Sequence, residues 1–103
     1  MRLFDGQGNV HDIDIENIVC IKREVVKRKT VFYDGSHLFQ DPNTLVQLAK
    51  AYQEYGFYQI DKNRLVNLNK VDEYKDGYLW INGSQYLISR RLKPIIKDIL
   101  SKI

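Results

Sequence analysis

Three short segments hold the residues of this 103-residue chain best suited to chemistry: KREVVKRK at Lys22–Lys29, DKNR at Asp61–Arg64 and SRR at Ser89–Arg91. All three are rich in cations. Arginine offers two donors that fit a guanine edge, lysine serves the same edge less specifically, and asparagine suits adenine. Either cation also neutralises phosphate. The first segment carries five cations and one acid. That density fits an electrostatic footprint for a polyanion, and it equally fits a solvated face.

The third segment carries a physical cost. Leu92, Ile95, Ile96, Ile99 and Leu100 recur at helical spacing, which predicts a closing helix with its N-terminal edge near Ser89. Pro94 limits how early that helix can begin, because proline is tolerated only in the first turn. The helix dipole favours acids at this end, yet the sequence supplies Arg90, Arg91 and Lys93. A phosphate held at the helix N–H groups would offset the repulsion. The competing expectation is that Arg90 or Arg91 reaches an internal acid such as Asp72 or Asp98.

Other chemistries find little support. His11 and His37 lie far apart, and Cys20 is the single cysteine, so neither a metal-binding spacing nor an internal disulfide exists. A lone thiol suits the cytoplasm. Ser84 and Ser89 lack the glycine elbow of a serine nucleophile, and the glycine-containing turns show no phosphate-loop pattern. Asp72, Glu73 and Asp76 read as a solvated strand end and turn. The expectation is a protein with no catalytic site, cofactor, metal or small-molecule substrate.

The elements that must position the cations follow from the rest of the chain. At 44% hydrophobic content and net charge +3, the sequence can build one domain with a single modest core. No apolar stretch is long enough to span a membrane, and MRLFDGQGNV lacks a signal-peptide core. The positive surplus is local: residues 1–55 carry seven Lys/Arg against eight Asp/Glu, whereas residues 56–103 carry nine against five.

Short strands are predicted at Arg2–Phe4 and Val10–Ile13 around DGQGN, at Ile18–Ile21, at Lys29–Tyr33, and at Ser36–Phe39 after an Asp34-Gly35 turn. Arg23–Lys29 reads as the loop between two of them. DPNTLVQLAKAYQEYG predicts a helix with Asp41 as cap, Pro42 in its first position, an apolar stripe of Leu45, Leu48, Ala49 and Tyr52, and Gly56 as its stop. Further strands are expected at Phe57–Ile60, Arg64–Leu68, Val71–Tyr74, Tyr78–Ile81 and Gln85–Ile88. Asp76-Gly77 and Asn82-Gly83 mark hairpin turns. Pattern alone gives an all-β or α+β class, mostly antiparallel sheet with helices on its faces.

At FYQIDKNRLVNLNKVDEY (Phe57–Tyr74) and LISRRLKPIIKDIL the chain resembles the LytTR DNA-binding domain of bacterial transcription regulators. The resemblance rests on the aromatic Phe57, the strand residues Gln59-Ile60, the turn Asp61–Arg64, the tripeptide Leu65-Val66-Asn67, Val71, and Ile88-Ser89-Arg90 before a short helix. It extends upstream to about Ile13. It implies an elongated, mostly antiparallel β domain over residues 1–103 with one mid-chain helix and a short C-terminal helix. It also implies double-stranded DNA as partner, no enzymatic activity, and loops entering successive major grooves at imperfect direct repeats, with a second copy on the adjacent repeat.

Carried over by position, the resemblance puts Arg23–Lys29, Asp61–Arg64 and Ser89–Arg91 against DNA. Lys62 and Arg91 are the candidates for base edges, and Arg28 or its neighbour Lys27 is the base contact from the first loop. Arg64, Arg90, Asn63 and Lys29 are the candidates for phosphate; Arg23 and Ser89 complete the set. Asn67 is expected to hold its turn rather than touch DNA.

The sequence departs from the family in two places. Asp61 stands where members usually carry histidine or another residue that tolerates a phosphate, and a carboxylate facing DNA is repelled unless a cytosine amino group or a nearby cation takes it. Lys22 stands where many members carry glutamate. Members are commonly fused to a receiver domain; the opening MRLFDGQGN favours a free-standing regulator. The alternative function is a β-rich protein-interaction module. A third reading, single-stranded nucleic acid on aromatic platforms, needs Tyr33, Tyr58, Tyr78 or Trp80 open along a basic groove.

Overall fold

The computed structural model describes residues 1–41 and 45–102, the side chains of 45–48 aside. Strand alternation sorts the apolar residues of one large sheet onto two faces, and each face gathers its own core. The strands are β1 (Arg2–Phe4), β2 (Val10–Asp12), β3 (Cys20–Glu24), β4 (Lys29–Tyr33), β5 (Leu38–Asp41), β6 (Phe57–Asp61) and β7 (Arg64–Asn67). They pair antiparallel in the order β2-β1-β5-β4-β3-β7-β6. A second antiparallel sheet holds β8 (Glu73–Lys75), β9 (Tyr78–Ile81) and β10 (Ser84–Leu87), with β9 in the middle.

In β3 and β7 the consecutive residues Cys20/Ile21 and Val66/Leu65 point to opposite sides. Ile21 and Leu65 join Leu3, Ile18, Phe32, Phe39 and Phe57 in one cluster, against which Ala49 and Tyr52 of helix α1 (Leu45–Tyr52) pack. Cys20 and Val66 join Ile60, Leu79, Ile81, Ile88, Leu92 and Ile96 in the other. The small sheet and helix α2 (Lys93–Ser101) cover that second face. The long dimension of the domain is 38 Å, against 24 and 23 Å for the other two. The expected class is borne out: mostly antiparallel β, elongated, with two short helices.

Several boundaries shift, each for a local reason. The predicted loop Arg23–Lys29 shrinks to 25–28, because Arg23 and Glu24 pair with Thr30 and Lys29 and extend the β3–β4 hairpin. The strand foreseen at Ile18–Ile21 begins at Cys20. The strand foreseen at Val71–Tyr74 runs instead over Glu73–Lys75, since Val71 closes a 3₁₀ turn at Leu68–Lys70. Helix α2 starts at Lys93 rather than near Ser89. An earlier start would leave Pro94 without the N–H its turn needs; as built, Pro94 sits in the first turn. Asp41, foreseen as a helix cap, ends β5. Pro42 lies outside the described residues, as do the side chains of Leu45 and Leu48.

Two turns match their sequence signal closely. Asp76-Gly77 and Asn82-Gly83 both have positive φ at both residues, the hairpin geometry whose twist suits the flanking strands. Gly56 ends the 3₁₀ turn Gln53–Tyr55 at φ +94, where a β-carbon would lie 2.4 Å from Asn69 Nδ2. Gly56→Ala is therefore expected to destabilise the domain by roughly 1–3 kcal/mol, from the strained φ and the clash together, read by denaturant unfolding.

Candidate nucleic-acid interface

The sequence segments that carry the cations meet at one end of the large sheet. The end of β3 reaches the β6–β7 turn through Arg23 N–H, which donates to Asn63 O at 2.7 Å. The end of β6 reaches the third segment through Ser89 N–H, which donates to Ile60 O at 2.7 Å. A side chain spans the same junction: Arg64 Nη2 donates to Leu87 O at 2.9 Å. Three stretches remote in sequence thus form one continuous rim.

The β6–β7 turn explains how Asp61 is tolerated there. Arg64 Nε donates to its Oδ2 at 2.6 Å, and Asn63 N–H donates to Oδ1 at 2.8 Å. The carboxylate is paired inward, and its charge also offsets the like-charged cross-strand neighbours Lys22 and Arg64. The arrangement occupies two arms of the Arg64 guanidinium, which makes Arg64 a strut between the large sheet and β10. Arg64→Ala leaves both Asp61 and the Leu87 carbonyl short of a donor. A loss of about 1–3 kcal/mol in unfolding free energy is expected, with Arg64→Lys recovering only part of it.

The other candidates divide by exposure. Lys27, Arg28, Lys62, Arg90 and Arg91 are all exposed, and none makes an ion pair or side-chain hydrogen bond within the described residues. The two acids that could have captured the arginines are engaged elsewhere: Asp98 pairs with Lys102 at 3.1 Å, and Asp72 accepts from Asn82 N–H. Arg23, Lys29 and Asn63 are half-buried. Ser89 is turned inward: its carbonyl accepts from Leu92 and Lys93 N–H, and its Oγ is buried with no partner among the described residues. Lys93 folds back along the Gly77 turn, whose hypothetical β-carbon would lie 2.8 Å from its Nζ.

Arg28 is held at φ +52, the left-handed region that costs a non-glycine residue about 1–2 kcal/mol. It closes the four-residue loop of the β3–β4 hairpin, a geometry that asks for such a residue at its end. Asn67 takes the role expected of it. Its Nδ2 donates to Ile18 O at 3.2 Å, and its Oδ1 accepts from Asn69 N–H at 3.0 Å. The opposite end of the large sheet differs in charge. Asp14 and Glu16 precede β3, Asp34 follows β4 and Glu54 precedes β6, with Lys70 beside Glu16 and Glu54.

The remaining reactive groups lie apart from the rim or are quenched. Burial pushes the Cys20 thiol up to about 11, so it stays protonated at neutral pH. Asp5 is held down at about 2, chiefly by the His11 ring 2.7 Å away, in the β1–β2 hairpin. Among the described residues no group of three His, Cys, Asp or Glu side chains could hold a metal. No described helix is long and apolar enough to cross a membrane. Tyr33, Tyr58, Tyr78 and Trp80 are all half-buried, and Tyr33 and Tyr58 pack against the core.

Sequence reading passed over Val25 and Val26 at the hairpin tip, although two β-branched residues in a tight turn are themselves a signal.

Comparison with known proteins matches residues 8–101 to the family model of the LytTr DNA-binding domain. A solved structure is also similar: a LytTr DNA-binding domain from Bacillus cereus, of a protein described as a methyl-accepting/DNA response regulator. It aligns with a TM-score of 0.83 over 97% of this chain and 94% of that chain, at 14% identity. At that identity the likeness speaks to the fold. No curated protein matches the chain.

Proposed function

The chain belongs to the LytTr DNA-binding domain family, and from that premise we propose that this DNA-binding transcription regulator reads specific double-stranded sequence with the cationic rim. The β3–β4 hairpin and the junction formed by the β6–β7 turn and Ser89–Arg91 enter successive major grooves on one side of the duplex. Two copies occupy neighbouring imperfect direct repeats, without a stable dimer being required in solution. The 103 residues act as one domain with no catalytic step.

Within the rim, Arg91 and Lys62 are assigned to base edges, with Arg28 or Lys27 added from the hairpin. Arg90, Lys29, Asn63 and Arg23 are assigned to phosphates, where a donor of either kind positions the protein without reading sequence. Arg64 and Ser89 are assigned to bracing the rim, since Asp61 and Leu87 engage the Arg64 guanidinium and Ser89 Oγ is buried.

The observation that carries this reading is a rim, held together by backbone hydrogen bonds, with five exposed cations on its hairpin tip, turn and Ser89–Arg91 segment that have no partner among the described residues. Free cations near a helix N-terminus are unfavourable in isolation and are rewarded by phosphate. Selection from a random duplex library tests it. A recovered consensus that outcompetes both its scrambled duplex and its own single strand is expected. Equal binding to all three, or retardation of none, overturns the proposal.

A further inference from the structure

The tip of the β3–β4 hairpin is built from residues that its fold does not ask for. Glu24 and Lys29 form the last cross-strand pair, and Val25–Arg28 make the loop beyond it. Tight turns draw on glycine, asparagine, aspartate and serine, because these relieve backbone strain or bond back to the chain. Valine does neither, and its branched β-carbon favours extended strands. Val25 is 63% exposed and Val26 96% exposed. Val26 therefore contributes almost nothing to either core. Leu38 and Ile95, also exposed, lie instead within a strand and a helix that bury the next residue, Phe39 and Ile96.

What surrounds the valines limits what can receive them. Lys22, Arg23, Lys27, Arg28 and Lys29 flank them within three residues on either side, against the single acid Glu24. An apolar protein pocket taking up Val26 would have to desolvate those cations as well, a cost met only by matching acids. A major groove presents the needed arrangement without adjustment: phosphates line both walls, and the floor carries base edges. The one apolar group on that floor is the C5-methyl of thymine.

We propose that Val26, with Val25 beside it, packs against thymine C5-methyl groups in the major groove, so that the hairpin discriminates by methyl contact as well as by arginine hydrogen bonds. The proposal rests on the reading that this hairpin enters a groove. It adds a specificity element of a different kind: thymine is told from cytosine by an apolar surface that carries no charge and does not respond to salt. The flanking cations bring the tip to the groove floor, and the stiff χ1 of valine keeps its methyls pointed there with little further entropy to lose.

The test uses the duplex selected by the wild-type protein. Each thymine is replaced singly by deoxyuridine, which keeps the Watson–Crick edge and removes only the methyl, and affinity is read by fluorescence anisotropy at fixed salt. One or two positions are expected to lose roughly threefold to fivefold, the worth of one buried methyl. In Val26→Ala the thymine duplex is expected to bind more weakly by a similar factor, the same deoxyuridine changes to cost nothing further, and the salt slope to stay unchanged. Val26 is exposed, so the variant keeps its fold, which a thermal melt verifies. Wild-type indifference to every deoxyuridine overturns the methyl contact while leaving the DNA reading intact. So does a methyl effect that persists in the Val25→Ala, Val26→Ala double variant. Absence of duplex binding in the wild type overturns both.

Discussion

Raising monovalent salt from about 50 to about 200 mM is expected to weaken binding to the selected duplex roughly fortyfold. The figure follows from the cations proposed to meet phosphate, Arg23, Lys29 and Arg90, each of which would displace counterions from the duplex. With about 0.9 ions released per neutralised phosphate, the logarithm of affinity falls with the logarithm of salt at a slope near −2.7. Arg64 is left out because Asp61 and Leu87 hold it. A titration series over salt gives the slope directly. A slope shallower than about −1 would mean that most of these cations never meet phosphate, and the rim would lose its role.

Changing Arg91 to alanine is expected to cost about 1–3 kcal/mol for the selected site, or roughly five- to 150-fold, and to relax preference at one base pair. The residue is exposed at the turn before α2, with no acid of its own to release. Its loss should therefore leave the melting temperature in place. Two comparisons separate reading from mere charge. Arg91→Lys keeps the charge and recovers part of the affinity, but not the base preference, because an ammonium cannot offer the planar two-donor fork. Arg90→Ala weakens all duplexes alike. If Arg91→Ala leaves the preference profile of the library unchanged, the base contact belongs elsewhere on the rim.

Much of the scaffold was legible in the chain because it is written locally. The hairpin turns at Asp76-Gly77 and Asn82-Gly83, the apolar stripe through Ala49 and Tyr52, and the stop at Gly56 each depend on neighbours a few residues away. The two-face sorting could be read from alternation at Cys20/Ile21 and Leu65/Val66, but not which face met which helix. That depends on β3 lying between β4 and β7, a pairing across more than forty positions that composition does not encode. The rim was partly legible. Its cations stand out in sequence, yet the bonds that gather them are mostly made by backbone carbonyls at Ile60, Asn63 and Leu87, and a carbonyl leaves no mark in the residue type. The same gap hid the internal contacts of Arg64 with Asp61 and Leu87 and the burial of Ser89 Oγ, two residues that sequence treats as donors to DNA. The extent of the first loop was overdrawn because charged residues at a strand end look like loop until their cross-strand partners are known.

The acidic end of the large sheet has a consequence for how molecules gather on nucleic acid. Asp14, Glu16, Asp34 and Glu54 stand opposite the rim, so the field that draws one end toward phosphates turns the other away. Such a body is single-headed. Under the proposed reading it is expected to land with a preferred orientation, and a single molecule is not expected to staple two duplexes together through its opposite ends.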